Sequence, residues 1–217
     1  MKRWTWILIA SFLLATPASA RAYLVDRVEA VVNGRVITMS EVDRAVRAEA
    51  LRRGVKTEGD CNKLRTEALG VLIDRTLLLE EARRFNIVQV SDEEVERAFE
   101  TVRKGFSSDS EFRKALRQDD LTEEGLKNDL RDQILTAKYV DRRIKFFVKV
   151  SIDDEKDYYL KNKEKFHGKT FDEVNGDIHN LLVEKGTDKK LDEYLKDLRA
   201  KSEIVIKGAP KDNPIEK

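Results

Sequence analysis

The chain has no proline between residues 21 and 209, and this absence constrains the fold most. Proline breaks helices and removes a hydrogen bond from strands. A long proline-free stretch rich in Glu, Lys, Leu, Arg and Ala therefore predicts a mainly helical fold. The prolines are Pro17, Pro210 and Pro214. The last two lie among many charges in 208–217, where we predict a disordered tail.

Short β segments are predicted on both sides of the helical region. In 26–32, the residues Val28, Ala30 and Val32 alternate with Arg27, Glu29 and Val31. The pair Asn33-Gly34 follows, and then the β-prone segment Arg35–Thr38. This pair favours the tight turn of a β-hairpin because both positions accept positive φ. An isolated hairpin is marginal in water. We therefore predict that 203–206 adds as a third strand, with its two isoleucines facing the core.

Serine, threonine or aspartate residues ahead of acidic residues mark the helix starts. We predict helices at 41–53, 61–85, 92–104, from 109, 123–149, 154–165 and 171–201, with N-caps Ser40, Ser91, Ser108, Thr122, Asp153 and Thr170. The 123–149 helix should be the longest, because one apolar seam runs along it: Leu126, Leu130, Ile134, Ala137, Val140, Ile144 and Val148. The 171–201 helix is either continuous or broken near Gly186.

The first twenty residues have the pattern of an export signal. Lys2 and Arg3 precede an apolar run over 4–15, and Ala18 and Ala20 supply the small residues of a cleavage site. The run is shorter than the roughly 20 residues of a membrane-spanning helix. We predict cleavage after Ala20 and release into the periplasm without a stable membrane anchor. An uncleaved N-terminal anchor is the alternative.

Charge and cysteine content reduce the range of expected functions and partners further. Removing 1–20 changes the formal charge from +1 to about −1, with both signs interspersed, so nucleic acid is not an expected partner. Cys61 is the single cysteine, so no disulfide can form within the chain. No Cys or His lies at metal-ligand spacing from either His167 or His179. We predict no catalytic residue, metal or cofactor.

Five phenylalanines are the candidate binding residues. Phe99, Phe106 and Phe112 surround a connection rich in Gly and Ser, and Phe146 and Phe147 are adjacent near the end of the 123–149 helix. Neighbours on a helix point about 100° apart, so the seam buries at most one of that pair. Exposed aromatic groups suit a protein that binds unfolded polypeptides. The alternative is that all five are ordinary core residues.

Four segments, in this order, resemble the SurA-like periplasmic chaperones. They are VDRVEAVVNGRVITMSEVDRAV (25–46), VLIDRTLLLEEARRFNIVQVSDEEVERAF (71–99), ILTAKYVDRRIKFFVKVSIDDEKDYYLKNKEKF (134–166) and FDEVNGDIHNLLVEKGTDKKLDEYLKDLRAKSEIVI (171–206). The resemblance implies a mainly α fold with a small β element, in which the hairpin is joined by the C-terminal strand. It divides the chain into a signal peptide (1–20), a chaperone core (21–207, as 21–166 plus 170–207) and the tail.

The resemblance also implies a function, with one departure. In the family, parvulin-type prolyl isomerase domains lie between the Tyr-Tyr helix and the C-terminal helix, where this chain has only 167–170. We therefore expect a non-catalytic holdase, a chaperone that binds unfolded polypeptides without ATP. Its expected clients are outer-membrane protein precursors. The alternatives are a degenerate isomerase or an interaction subunit for one folded partner, and the oligomeric state, including a homo-oligomer, stays open.

Overall fold

The computed structural model describes residues 26–54 and 58–207, with side chains in the second range from residue 62. Its strands are β1 (Val28–Val32), β2 (Arg35–Thr38) and β3 (Ile204–Ile206). Its helices are α1 (Met39–Arg53), α2 (Glu58–Phe85), α3 (Asp92–Lys104), α4 (Asp109–Gln118), α5 (Glu123–Arg143), α6 (Ile152–Lys161) and α7 (Phe171–Lys201). Short 3-10 turns follow α5 (Lys145–Phe147) and α6 (Lys163–Phe166). The predicted signal peptide, its cleavage site and the tail lie outside the described residues.

The three strands form one antiparallel sheet in the order β2-β1-β3, so the prediction that the third strand joins the hairpin is confirmed. Ala30 and Val32 of β1 are fully buried, and Ile204 packs against the same cluster. Ile206 pairs with Ala30 but is 49% exposed. The expectation that both isoleucines face the core was wrong for Ile206, the last residue of an edge strand, which has a neighbouring strand on one side only.

The turn of the hairpin ties the two ends of the described chain together. Asn33 and Gly34 adopt positive φ, as the turn type requires. The Asn33 side chain accepts a hydrogen bond from the backbone N–H of Glu203 (2.9 Å) and donates to Glu80 of α2 (2.7 Å). Its backbone N–H also donates to the carbonyl of Glu203 (2.9 Å). One asparagine thus joins the hairpin, α2 and β3.

Two predicted N-caps are displaced by two residues. Thr38, not Ser40, caps α1, because the end of β2 already holds Thr38 in the extended conformation that a cap needs. Glu41 completes its capping box by accepting from the Thr38 N–H (2.8 Å). Likewise Ser151, not Asp153, caps α6, with Asp154 at the third helical position. Hydrogen bonds from the Ser151 hydroxyl and N–H lower the pKa of the Asp154 carboxyl.

The predicted helix at 123–149 is shorter in the structure, and it is not the longest. α5 ends at Arg143, and Ile144 leads into the 3-10 turn. The chain turns here because Val148 packs against Gly186 of α7, a contact that a straight helix would not make. α7 is the longest described helix at 31 residues and continues through Gly186 without a break.

Two buried clusters hold the described helices. The first lies between the sheet, α1 and α2 and includes Val42, Ile73 and Leu77. The second lies between α3, α4 and α5 and includes Phe112 and Leu130. α6 packs along the N-terminal part of α7, while the C-terminal part of α7 packs on α2. No helix in the described ranges is long and apolar enough to cross a bilayer.

Candidate functional site

The five candidate phenylalanines lie in two different environments. Phe99 and Phe112 are 3% and 1% exposed and meet edge to face, with ring centroids 5.7 Å apart. Their helices are short and strongly amphipathic, and both rings point into the second cluster. Phe106 lies at the border of this second cluster and packs against Phe112. Phe99 and Phe112 are therefore core residues rather than surface contacts, and client contact by Phe106 stays a prediction.

Phe146 and Phe147 are both on the surface, with exposed fractions of 70% and 53%. The expectation that at most one of them is buried agrees with this exposure, although it assumed that the helix continues to residue 149. The 3-10 turn itself has no buried residue, and the buried side chain is that of Ile144 just before it. The two rings pack edge to face at 5.3 Å. We call them the aromatic pair.

Contacts with α7 position the aromatic pair. The Phe147 carbonyl accepts from Lys190 (3.2 Å), and Val148 lies against Gly186. A Cβ at Gly186 would lie 2.6 Å from a Val148 methyl group, closer than atoms can pack. The glycine therefore forms a notch in α7 that receives Val148 and fixes the turn before it.

Replacing Gly186 with Ala is expected to destabilise the protein by about 1–2 kcal/mol, because overpacking outweighs the gain in helix propensity. Gly176→Ala is the matched control. It lies in the same helix with no atom within 4 Å of the new methyl group, and should stabilise by roughly 0.5–1 kcal/mol. Thermal unfolding of both variants checks this. A stabilised G186A variant would contradict this packing. Adding Val148→Ala to G186A should relieve the clash and restore stability.

Two adjoining grooves run along α5, and the larger one reaches the residue just before the aromatic pair. The larger, of about 560 Å³, lies between α2, α5 and α7 and has a mostly apolar lining that includes Ala137 and Val140. The second, of about 320 Å³, lies between β2, α1, α2 and α5. Arg75 and Gln133 line both, and Lys145, next to Phe146, lines the larger one. We call the two together the α2–α5 groove.

A partly buried hydrogen-bond network of two tyrosine hydroxyl groups and one carboxylate joins three helices. Tyr139 of α5 is fully buried, and its hydroxyl lies 2.8 Å from that of Tyr194 of α7. Tyr194 donates to Glu81 of α2 (2.9 Å). Burial, together with these hydrogen bonds, raises the pKa of Tyr194. The apolar pattern of α5 did not predict that Tyr139 is buried. α5 is enclosed on two sides, so it buries residues on more than one of its faces.

Each histidine has a local structural role. His179 Nδ1 lies 2.7 Å from the carboxylate of the buried Glu155, which pairs α7 with α6. His167 ends a 3-10 turn in the left-handed conformation. Within the described ranges, no group of three or more His, Cys, Asp or Glu residues is placed to hold a metal ion. The side chain of Cys61 lies outside the described part of the chain.

A family model for the SurA-like N-terminal domain matches residues 1–140. The chain belongs to this family. Chaperone SurA of Ralstonia nicotianae is 33% identical over 147 residues, which cover 65% of this chain and 29% of that protein. Chaperone SurA of Pseudomonas fluorescens is 28% identical over 182 residues, which cover 81% of this chain and 41% of that protein. The SurA-like chain thus spans less than half the length of these relatives.

A solved structure shares the fold. It comes from a study of PEB4 and Cj1289, described as two structurally related SurA-like chaperones of Campylobacter jejuni. The TM-score is 0.52, and the match covers 85% of this chain and 100% of the other. Sequence identity is 16%, so this comparison supports the architecture alone. The prediction of a mainly helical SurA-like core with a small antiparallel sheet is confirmed.

Proposed function

We propose that this SurA-like protein is an ATP-independent periplasmic holdase whose clients are unfolded polypeptides, with outer-membrane protein precursors the main class. The aromatic pair next to the larger, mostly apolar part of the α2–α5 groove is the observation that carries this proposal. Family membership and the naming of the relatives as chaperones support it. The export pattern in residues 1–20 supports the compartment.

The exposed apolar surface suits transient binding of many sequences. Affinity for such a surface grows with the apolar area removed from water and makes little demand on sequence. Two phenylalanine rings held in fixed orientation lose little side-chain entropy when a client covers them. The groove supplies a concave continuation next to the pair. The dense charge elsewhere keeps such a surface soluble.

We expect no prolyl isomerase activity. The resemblance places parvulin domains between the helices that correspond to α6 and α7. In this chain α6 ends at Lys161 and α7 begins at Phe171, and the intervening residues form a 3-10 turn and a short link. This connection is too short for a folded domain at that point.

The mature protein should suppress aggregation of an unfolded β-rich outer-membrane protein at near-stoichiometric ratios without nucleotide. Phe146→Ser with Phe147→Ser should weaken suppression several-fold, because two exposed apolar rings are lost. The melting temperature should change little, since neither ring is in the core. Light scattering and thermal unfolding check the two statements separately.

Leu160→Ser is the matched control for this experiment. Leu160 is 66% exposed, similar to Phe146, but lies on α6 away from the groove. It should leave suppression unchanged. Equal suppression by the double serine variant and the parent would remove the aromatic pair from the client surface. Acceleration of prolyl isomerisation in a short peptide would instead favour the degenerate isomerase.

A further inference from the structure

The arginines without ion pairs are concentrated at the candidate client surface. Most arginines in the described ranges lie within 4 Å of a carboxylate, as Arg199 does with Asp74 (2.6 Å). Within those ranges, the exceptions are Arg35, Arg44, Arg75, Arg97, Arg117, Arg142 and Arg143. All of these except Arg97 and Arg117 belong to the α2–α5 groove or to the residues just before the aromatic pair.

Three of these arginines line the groove. Arg44 and Arg75 each donate to a backbone carbonyl, of Asp119 (2.9 Å) and Asp129 (3.3 Å), which positions the guanidinium without neutralising it. Arg75 lies where the two parts of the groove meet. Arg35 is exposed at the β2 rim. Each guanidinium retains N–H groups that can donate hydrogen bonds to a carboxylate.

The groove also contains carboxylates, and they leave this positive charge only partly balanced. Glu41 accepts a hydrogen bond from the Thr38 N–H and so belongs to the cap of α1. Asp129 lines the groove near Arg75 but forms no ion pair with a described residue. Asp141 pairs with Lys145 (3.2 Å) at the other end. None of the three carboxylates lies within 4 Å of a groove arginine.

The aromatic pair has a basic surrounding as well. Between residues 138 and 149 there are five basic side chains and one acidic side chain, Asp141. Lys138 is already paired with Glu94. The guanidinium of Arg142 lies 5.9 Å from the centre of the Phe146 ring, a cation–π distance. On the C-terminal side of the pair, the first acidic residues are those in the first turn of α6, after Ser151.

We propose that this surface selects unfolded client segments in which acidic residues lie among apolar and aromatic ones. The inference rests on the proposed holdase function and names the client class of the same site. Apolar side chains would cover the aromatic pair and the groove floor, while client carboxylates would accept hydrogen bonds from Arg75, Arg44 and Arg142. Arginine suits this task because its planar guanidinium binds carboxylates through two parallel hydrogen bonds.

The arrangement favours a polypeptide over a lipid surface. Three of the arginines line a groove, which an extended chain can enter and a flat bilayer cannot. Their spacing across β2, α1 and α2 requires a ligand with several separated carboxylates. An unfolded segment supplies these at intervals along its backbone.

The test uses three labelled peptides of equal length that share Phe, Tyr and Val positions and carry Glu, Gln or Lys between them. Binding to the mature protein is followed by fluorescence anisotropy. The Glu peptide should bind about tenfold more tightly than the Gln peptide at about 50 mM salt, and the Lys peptide most weakly. This preference should shrink several-fold at about 300 mM salt, where screening is stronger.

Arg75→Gln should reduce the preference for the Glu peptide at least about threefold. Arg75→Lys should retain only part of it, because the charge remains but the bidentate geometry is lost. Arg142→Gln is the second test variant. Arg117→Gln removes the same charge on α4, outside the groove, and should leave the preference within about twofold of the parent. The melting temperatures confirm that each variant is folded.

The outcomes separate this inference from the proposed function. Equal binding of the Glu and Gln peptides, with aggregation suppression intact, overturns the acidic preference alone. An equal effect of R117Q and R75Q shows a net-charge effect and also overturns it. Arg75-dependent binding to phosphatidylglycerol vesicles without a preference for the Glu peptide makes the surface a lipid site and overturns it. Failure of every peptide to bind, together with no suppression, overturns the holdase itself.

Discussion

Deleting residues 203–217 is expected to lower the melting temperature by about 10 °C, whereas deleting only 208–217 should change it little. The longer deletion removes β3, which buries much of Ile204 and covers one edge of β1. It also removes the backbone and side-chain hydrogen bonds between Glu203 and Asn33. Together the lost burial and the lost hydrogen bonds should reduce the free energy of unfolding by roughly 3–5 kcal/mol. At this chain length each kcal/mol shifts the melting temperature by about 2–4 °C.

Calorimetry on both truncated proteins provides the measurement, and the protein that lacks only residues 208–217 is the control. Equal melting temperatures would contradict the role of β3 in the core. Asn33→Ala offers an independent check without truncation. It removes the side-chain bonds to Glu203 and Glu80 while keeping Gly34, and should cost about 1–3 kcal/mol.

Phe112→Ala is expected to destabilise the protein by about 3–5 kcal/mol, the range for truncation of a buried aromatic residue. Phe112 is 1% exposed and contacts both Phe99 and Phe106 edge to face. It holds α4 against α3, so its loss should loosen the second cluster as a unit. Chemical denaturation followed by circular dichroism gives the free energy of unfolding.

Phe106→Ala is the comparison for that measurement. Phe106 is 36% exposed and lies on the border of the same cluster, so its truncation should cost only about 1 kcal/mol. Similar losses for the two variants would mean that the cluster is not organised around Phe112. Because Phe106 also stays a client-contact prediction, F106A should be assayed for aggregation suppression as well.

The fold was predictable where local chemistry decides the structure. Asn33-Gly34 requires a tight turn, and Ser91 with Glu94 forms the capping box that the sequence predicts for α3. The two misplaced caps show the limit of such patterns. Thr38 and Ser40 are both competent caps, and the strand that ends at Thr38 decides between them.

The candidate site depends on contacts between distant segments, and these were less predictable. Periodicity extends α5 to residue 149, but the contact between Val148 and Gly186 turns the chain and places both members of the aromatic pair on the surface. Similarly, a cluster of arginines cannot be recognised as unpaired from sequence, because their potential partners lie on other helices. Only the packed structure separates Arg75 from paired residues such as Arg199.

The position of β3 has a consequence for the time course of folding. Asn33 and Glu203 are separated by 170 positions in the chain, yet they share backbone and side-chain hydrogen bonds. During synthesis or export β3 emerges after every other described element, so β1 keeps one open edge until then. Closing so long a loop is slow relative to local helix formation. A chain built this way would pass through a late intermediate with an unpaired strand, the kind of species that is prone to aggregate.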